Sequence, residues 1–167
     1  WLWPGRVPLG RMTLLVGRPG CGKSFLTSYM AANVSRGRDW FDGSPCPAGR
    51  VLLCSAEDDP ADTIAPRLAA HDADRSRVHV LQGVFRRDDD GNERETTFTL
   101  ADLNPLRVAL EELDGVRLIV VDPVGSYLGG QADAHRDNEV RGVLAPAAAL
   151  AAECGAALFV VAHNRKS

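Results

Sequence analysis

Short apolar runs punctuate this chain, separated by longer stretches in which apolar positions recur at helical spacing. Met12-Thr13-Leu14-Leu15-Val16 is a β-prone run, and the stretch from Phe25 to Arg36 that follows it is amphipathic with a helical period. Arg50 to Ser55 is continuously apolar between its ends, the pattern of a strand buried on both faces of a parallel sheet. A helix is predicted through Ile64 and Leu68, ending near His71, and Val78-His79-Val80-Leu81 reads as a third strand. His79 alternates with valines there, which predicts a packed or edge histidine. Asn104 with Pro105 opens a short helix that Gly115 closes, and Arg117 to Asp122 is an apolar strand ending in a single carboxylate. Asp137 or Asn138 starts the final helix, which runs to Cys154 and is stopped by Gly155, before a strong strand from Ala156 to Ala162. Pro146 lies inside that helix and removes a hydrogen bond to Gly142, so a kink is expected there.

The connections have their own signatures. Residues 37–49 are rich in Gly, Pro and Asp and predict a surface connection. Residues 85–97 carry adjacent blocks of opposite charge and predict an exposed excursion turning at Asp90-Gly91. Residues 125–137 form a long loop leaving the end of the Asp122 strand. At the start, Trp1-Leu2-Trp3-Pro4-Gly5 is an aromatic lead-in; its tryptophans are expected to pack as a satellite cluster on the sheet edge, the sharper alternative being stacking on a base or a neighbouring subunit.

Composition narrows the classes. A chain of 167 residues is about one domain, and 45% hydrophobic with 25% charged residues is the content of an ordinary soluble protein. No apolar stretch reaches membrane-spanning length and no signal peptide is visible, so a cytoplasmic location is expected. The net charge of −3 argues against a stand-alone nucleic-acid sleeve while leaving room for a local basic patch. Cys21, Cys46, Cys54 and Cys154 show no C-x-x-C spacing, which predicts reduced thiols and argues against zinc. The chain starts at Trp1 and stops just after a strong strand, and a fragment of a longer protein is expected.

The chemistry begins between the first strand and the first helix. Gly17-Arg18-Pro19-Gly20-Cys21-Gly22-Lys23-Ser24 is a complete G-x-x-x-x-G-K-[ST] phosphate loop with the flanking strand and helix that the motif requires. Its glycines let successive N–H groups turn toward one anion, and the helix N-terminus adds unpaired donors and a positive dipole end. Lys23 can reach the outer phosphates, and the Ser24 hydroxyl is a ligand for Mg²⁺. Of 19 basic residues only Lys23 and Lys166 are lysine, so a chain that otherwise uses arginine has placed an ammonium where the phosphate loop needs one.

Two strand ends supply carboxylates. Asp58 or Asp59 can cap the next helix, with Pro60 in its first turn, which leaves Glu57 at the carboxyl end of its strand as a candidate general base for water attacking a terminal phosphate. Asp122, followed by Pro123, has the pattern of a Walker B segment, whose carboxylate orients Mg²⁺ against Ser24. The last strand delivers His163 to the same edge, with Arg165 and Lys166 directly after it.

This order of motifs resembles the RecA-like P-loop ATPases, and within them the AAA_25 or RepA-like group that includes plasmid-encoded hexameric replicative helicases. The resemblance rests on residues 17–24, on Ala56-Glu57-Asp58 with Pro66-Arg67-Leu68, on Val120-Val121-Asp122-Pro123, and on Val160-Val161-Ala162-His163 with Lys166. It implies one α/β domain over residues 1–167 with a three-layer RecA-like fold: a mostly parallel central sheet, helices on both faces, and terminal strands missing at the C-terminal end. It further implies ATP held by residues from Gly17 through Ser24 and Phe25, Mg²⁺ at Ser24 and Asp122, and Glu57 activating water with Lys23 in the reacting centre. His163 would sense the γ-phosphate and relay its loss toward nucleic-acid-facing loops. Arg67 would lie near the base, and Arg165, Lys166 or a residue beyond the chain end would reach a neighbouring subunit's nucleotide. The function implied is an ATP-hydrolysing motor on single-stranded DNA, working as a homo-oligomeric ring, such as a hexamer, or a filament. The alternative is a nucleotide-gated switch without unwinding activity; a scaffold with a relic site fits poorly with an intact Lys23, Ser24, Glu57 and Asp122.

Overall fold

The computed structural model describes residues 1–87, 93–129 and 137–163. Strand β1 (Met12–Gly17) leads into helix α1 (Lys23–Arg36); β2 (Arg50–Ser55) is followed by a wide π-type turn, Pro60–Ile64, that continues as α2 (Ala65–Ala70). Next come β3 (Val78–Val80), β4 (Gly83–Arg87), β5 (Glu93–Thr97) and α3 (Asn104–Glu112), then β6 (Val116–Asp122), α4 (Asp137–Glu153) and β7 (Ala157–His163). β1, β7, β6, β2 and β3 form, in that order, one five-stranded sheet in which every pairing is parallel.

Alternation along the inner strands sorts side chains to two cores, one on each face of the sheet. Val51 and Leu53 of β2, Leu118 and Val120 of β6, and Phe159 and Val161 of β7 pack with Met30 and Val34 of α1 and with Leu68 of α2. Leu52 and Cys54, Ile119 and Val121, and Leu158 and Val160 face the other way, against Leu106 and Leu110 of α3 and Leu144 and Leu150 of α4. The result is three layers with helices on both faces, the expected RecA-like α/β architecture.

Local details follow from residue chemistry. Gly37 caps α1 in a left-handed conformation at φ 66°, its N–H returning to the last turn of the helix. α3 starts at Asn104 as expected, with the Asn104 N–H donating to the Asp102 carboxylate just ahead of the helix. Gly155, at φ +67°, ends α4, which continues as one element through Pro146. His79 lies on the edge strand β3 with its Nε2 buried and unpartnered, a packed rather than an exposed histidine.

Two expectations are corrected. The excursion expected over residues 85–97 carries strands that were not expected: β4 and β5 pair antiparallel from Gly83↔Thr97 to Arg87↔Glu93 as a separate two-stranded sheet. The turn expected at Asp90-Gly91 lies outside the described residues. Nor do the tryptophans form a satellite cluster at the sheet edge. Trp3 stacks on Trp40 with ring centroids 4.4 Å apart, and both are buried in the core beside α1, because Leu2, Trp3 and Val7 fold under that helix. Trp1 stays exposed.

Candidate functional site

A parallel sheet brings all its strand ends to one edge, and the pairing register shows which ends meet. Gly17 at the tip of β1 is opposite His163 at the tip of β7, and Ser55 at the tip of β2 is opposite Asp122 at the tip of β6. The chain leaving β2 stays close, with the Ala56 N–H donating to the Asp122 carbonyl at 3.3 Å, so Glu57 and Asp58 emerge beside Asp122.

The phosphate loop sits between β1 and α1. Gly20 and Gly22 hold φ of +77° and +86°, the left-handed region that a side chain disfavours, and a Cβ on Gly17 would meet the Cys21 sulfur at 2.9 Å and require it to shift. Arg18, Pro19, Gly20 and Cys21 form the exposed rim of the loop. Lys23 is buried, and its ammonium donates to the carbonyl oxygens of Gly17 at 2.9 Å and Arg18 at 2.8 Å. The charge is thus folded onto the loop it spans, with the Cys21 sulfur 3.9 Å away. Thr27 and Ser28 both donate to the Ser24 carbonyl, fixing the first turn of α1.

Ser24 and Asp122, far apart in sequence, are in direct contact: the hydroxyl donates to the carboxylate at 3.2 Å. Burial pushes the Asp122 carboxyl above its usual range; the Ser24 hydrogen bond opposes this, Asp58 adds to the rise, His163 opposes it, and Glu57 adds to it again. All three flanking groups are therefore in electrostatic reach of one carboxylate. A small cavity of about 20 Å³ is bounded by Ser24, Thr27, Ser55, Asp58, Arg67 and Asp122, large enough for a single water or bare ion. Leu53, Cys54, Ile64 and Val120 complete its lining, and a hard divalent cation held at Ser24 and Asp122 would offset the cost of ionising the half-buried Asp122. On the other side of Asp122, Glu57 and His163, both exposed, border a wider cleft of about 840 Å³ together with Val16, Ser126 and Arg141.

Asp58 departs from expectation. It caps nothing: Asp59 alone accepts the N–H groups of Ala61 and Asp62, at 2.8 and 2.9 Å. Pro60 in the first turn makes the residue directly before it the cap, a signal present in the sequence. Asp58 is left to pair with Arg67 at 2.5 Å, both side chains 27% exposed. The Arg67 guanidinium also lies 5.5 Å over the exposed ring of Phe25, which approaches His71 edge-on at 6.4 Å. Arg165 and Lys166 lie outside the described residues.

The model of one family, an AAA domain known as AAA_25, matches residues 1–167. The chain belongs to the AAA_25 family. It is accordingly a P-loop ATPase domain of the RecA-like branch, in a family found in RepA-like helicases, and nucleotide binding comes with that membership. No curated protein matches the chain significantly. Among the described residues, no helix is long and apolar enough to cross a membrane.

Proposed function

We propose that this AAA_25 domain binds and hydrolyses Mg-ATP and drives a DNA-associated motor, acting as a homo-oligomeric ring or filament on single-stranded DNA. The observation that carries the ATPase part is the convergence of four strand ends on the phosphate loop, centred on the Ser24–Asp122 contact. Lys23 exchanges its two loop carbonyls for the outer phosphate oxygens, a trade of neutral for charged acceptors that strengthens each hydrogen bond. Ser24 and Asp122 would hold Mg²⁺, which would offset the charge that builds on the phosphates. Glu57, free of a capping duty and exposed on the cleft, takes a proton from the attacking water. His163, beside Gly17 in the register and bordering the same cleft, is placed to respond to loss of the terminal phosphate. Family membership supports the DNA part of the reading.

Two measurements test it. Glu57→Gln is expected to retain ATP binding and lose at least about a hundredfold in turnover, the scale of a missing general base; unchanged hydrolysis removes Glu57 from that role. Single-stranded DNA is expected to raise ATP turnover severalfold. Turnover indifferent to DNA and responsive to a protein partner identifies the nucleotide-gated switch instead.

A further inference from the structure

The wider cleft holds a charged group that the mechanism leaves unused. Glu57 and His163 border it from the strand ends, and Arg141, in the second turn of α4, borders it from the helix side. The neighbouring Val140 and Leu144 pack against the sheet, which fixes the rotation of α4 and keeps Arg141 at the rim. Arg141 is exposed, and among the described residues its guanidinium has neither a hydrogen bond nor an ion pair. Of the described side chains lining the cleft it is the only one with a permanent positive charge.

The direction of hydrolysis gives that charge a use. Water attacks the terminal phosphorus from the Glu57 side: a new P–O bond forms there, the bond to the β-phosphate oxygen breaks, and one proton of the water passes to Glu57. Attacking and leaving oxygens lie roughly in line, so the phosphorus moves toward the side from which the water came while ADP stays on the phosphate loop. That side is the cleft. The freed phosphate is an oxyanion, and Leu14, Val16 and Val124 give the cleft an apolar floor, so the anion needs a fixed positive partner there. We propose that Arg141 is a phosphate-binding residue that receives inorganic phosphate as it leaves the site, a role that rests on the Mg-ATP reading above. The chemistry recognised is a phosphate oxyanion on a forked donor. A second source of that chemistry is the phosphodiester of single-stranded DNA.

Inorganic phosphate titrated by calorimetry into protein saturated with Mg-ADP gives a readout independent of turnover. Arg141→Gln is expected to weaken phosphate binding about tenfold, the scale of a lost hydrogen bond between charged groups, while ADP affinity stays within about twofold of the parent's. Arg141→Lys keeps the charge and is expected to recover most of the loss. Arg75→Gln removes an exposed arginine just ahead of β3, at the opposite edge of the sheet, and is expected to bind phosphate as the parent does. Phosphate binding unchanged in Arg141→Gln, or weakened equally in Arg75→Gln, overturns the proposal, as does a parent that takes up Mg-ADP but no phosphate at millimolar concentration. Binding of an oligothymidine strand to the same variants separates the two sources. Equal strand affinity in Arg141→Gln and the parent supports the product route, whereas strand affinity that falls with phosphate affinity assigns Arg141 to the DNA backbone and overturns it. A parent that does not bind Mg-ADP removes the underlying nucleotide site instead.

Discussion

Lys23 and Asp122 are marked out by their immediate neighbours, and for that reason the sequence nominates both before any fold is known. A lysine after Gly-x-Gly and before serine has one well-attested use, and a carboxylate ending an apolar run arrives at a sheet edge by the geometry of the strand. Asp58 was not legible in the same way, because three consecutive acids compete for one cap and only the observed bonds show that Asp59 took it. A different carboxylate, Asp42, shows how much a local bonding set can do. It accepts from Trp3 Nε1, from Arg6 and from both the N–H and hydroxyl of Ser44. The Ser44 hydroxyl foremost, then Trp3 and the Ser44 N–H, bring its carboxyl from 3.8 to about 2. A carboxyl depressed in the folded state adds stability that is fully present above its unfolded value and is lost as pH falls through the folded one. Asp42→Asn is therefore expected to flatten the fall in stability between pH 3.8 and about 2, measured as denaturation midpoint against pH, while neutral-pH variants differ by a pH-independent offset.

At the scale of elements, the inner strands announced themselves and the hairpin did not. β2, β6 and β7 are apolar on both faces, and each lies between two helical layers, so the run in the sequence and the placement in the sheet agree. Among the described residues β4 and β5 pair only with each other, and their charged sequences show no strong apolar alternation to read. The join between β2 and β6 holds a further constraint that only packing reveals. A Cβ on Gly49 would fall 2.2 Å from Cγ of Arg117 and 2.9 Å from the Gly115 carbonyl oxygen. Gly49→Ala is expected to cost about 1–3 kcal/mol in chemical denaturation, since backbone on one side cannot yield. Gly43→Ala, with nothing within 4 Å but φ at +77°, separates backbone strain from crowding: a smaller loss there marks crowding as the cause at Gly49.

For the whole molecule, ligand and fold are linked by mass action. A nucleotide that binds the folded chain alone stabilises it by about 2.7 kcal/mol at a concentration of 100 times its dissociation constant. Mg-ATP is accordingly expected to raise the thermal midpoint by several degrees, and Lys23→Ala to abolish most of that rise while leaving the ligand-free midpoint close to the parent's.

The amino-acid sequence alone determined which groups could stand at one sheet edge: a phosphate-loop motif with its lysine and serine, and carboxylates and a histidine at strand ends. These follow from short-range chemistry, where a few neighbouring residues restrict what the backbone and side chains can do. Tertiary structure decided who meets whom. The order β1-β7-β6-β2-β3 inserts the last strand between the first and the sixth, which sets His163 beside Gly17, Ser24 on Asp122, and Asp58 with Arg67 in the small cavity while Glu57 faces the larger cleft. Strand order is fixed by burial of two faces at once, a property of the assembled sheet that no single run of residues contains.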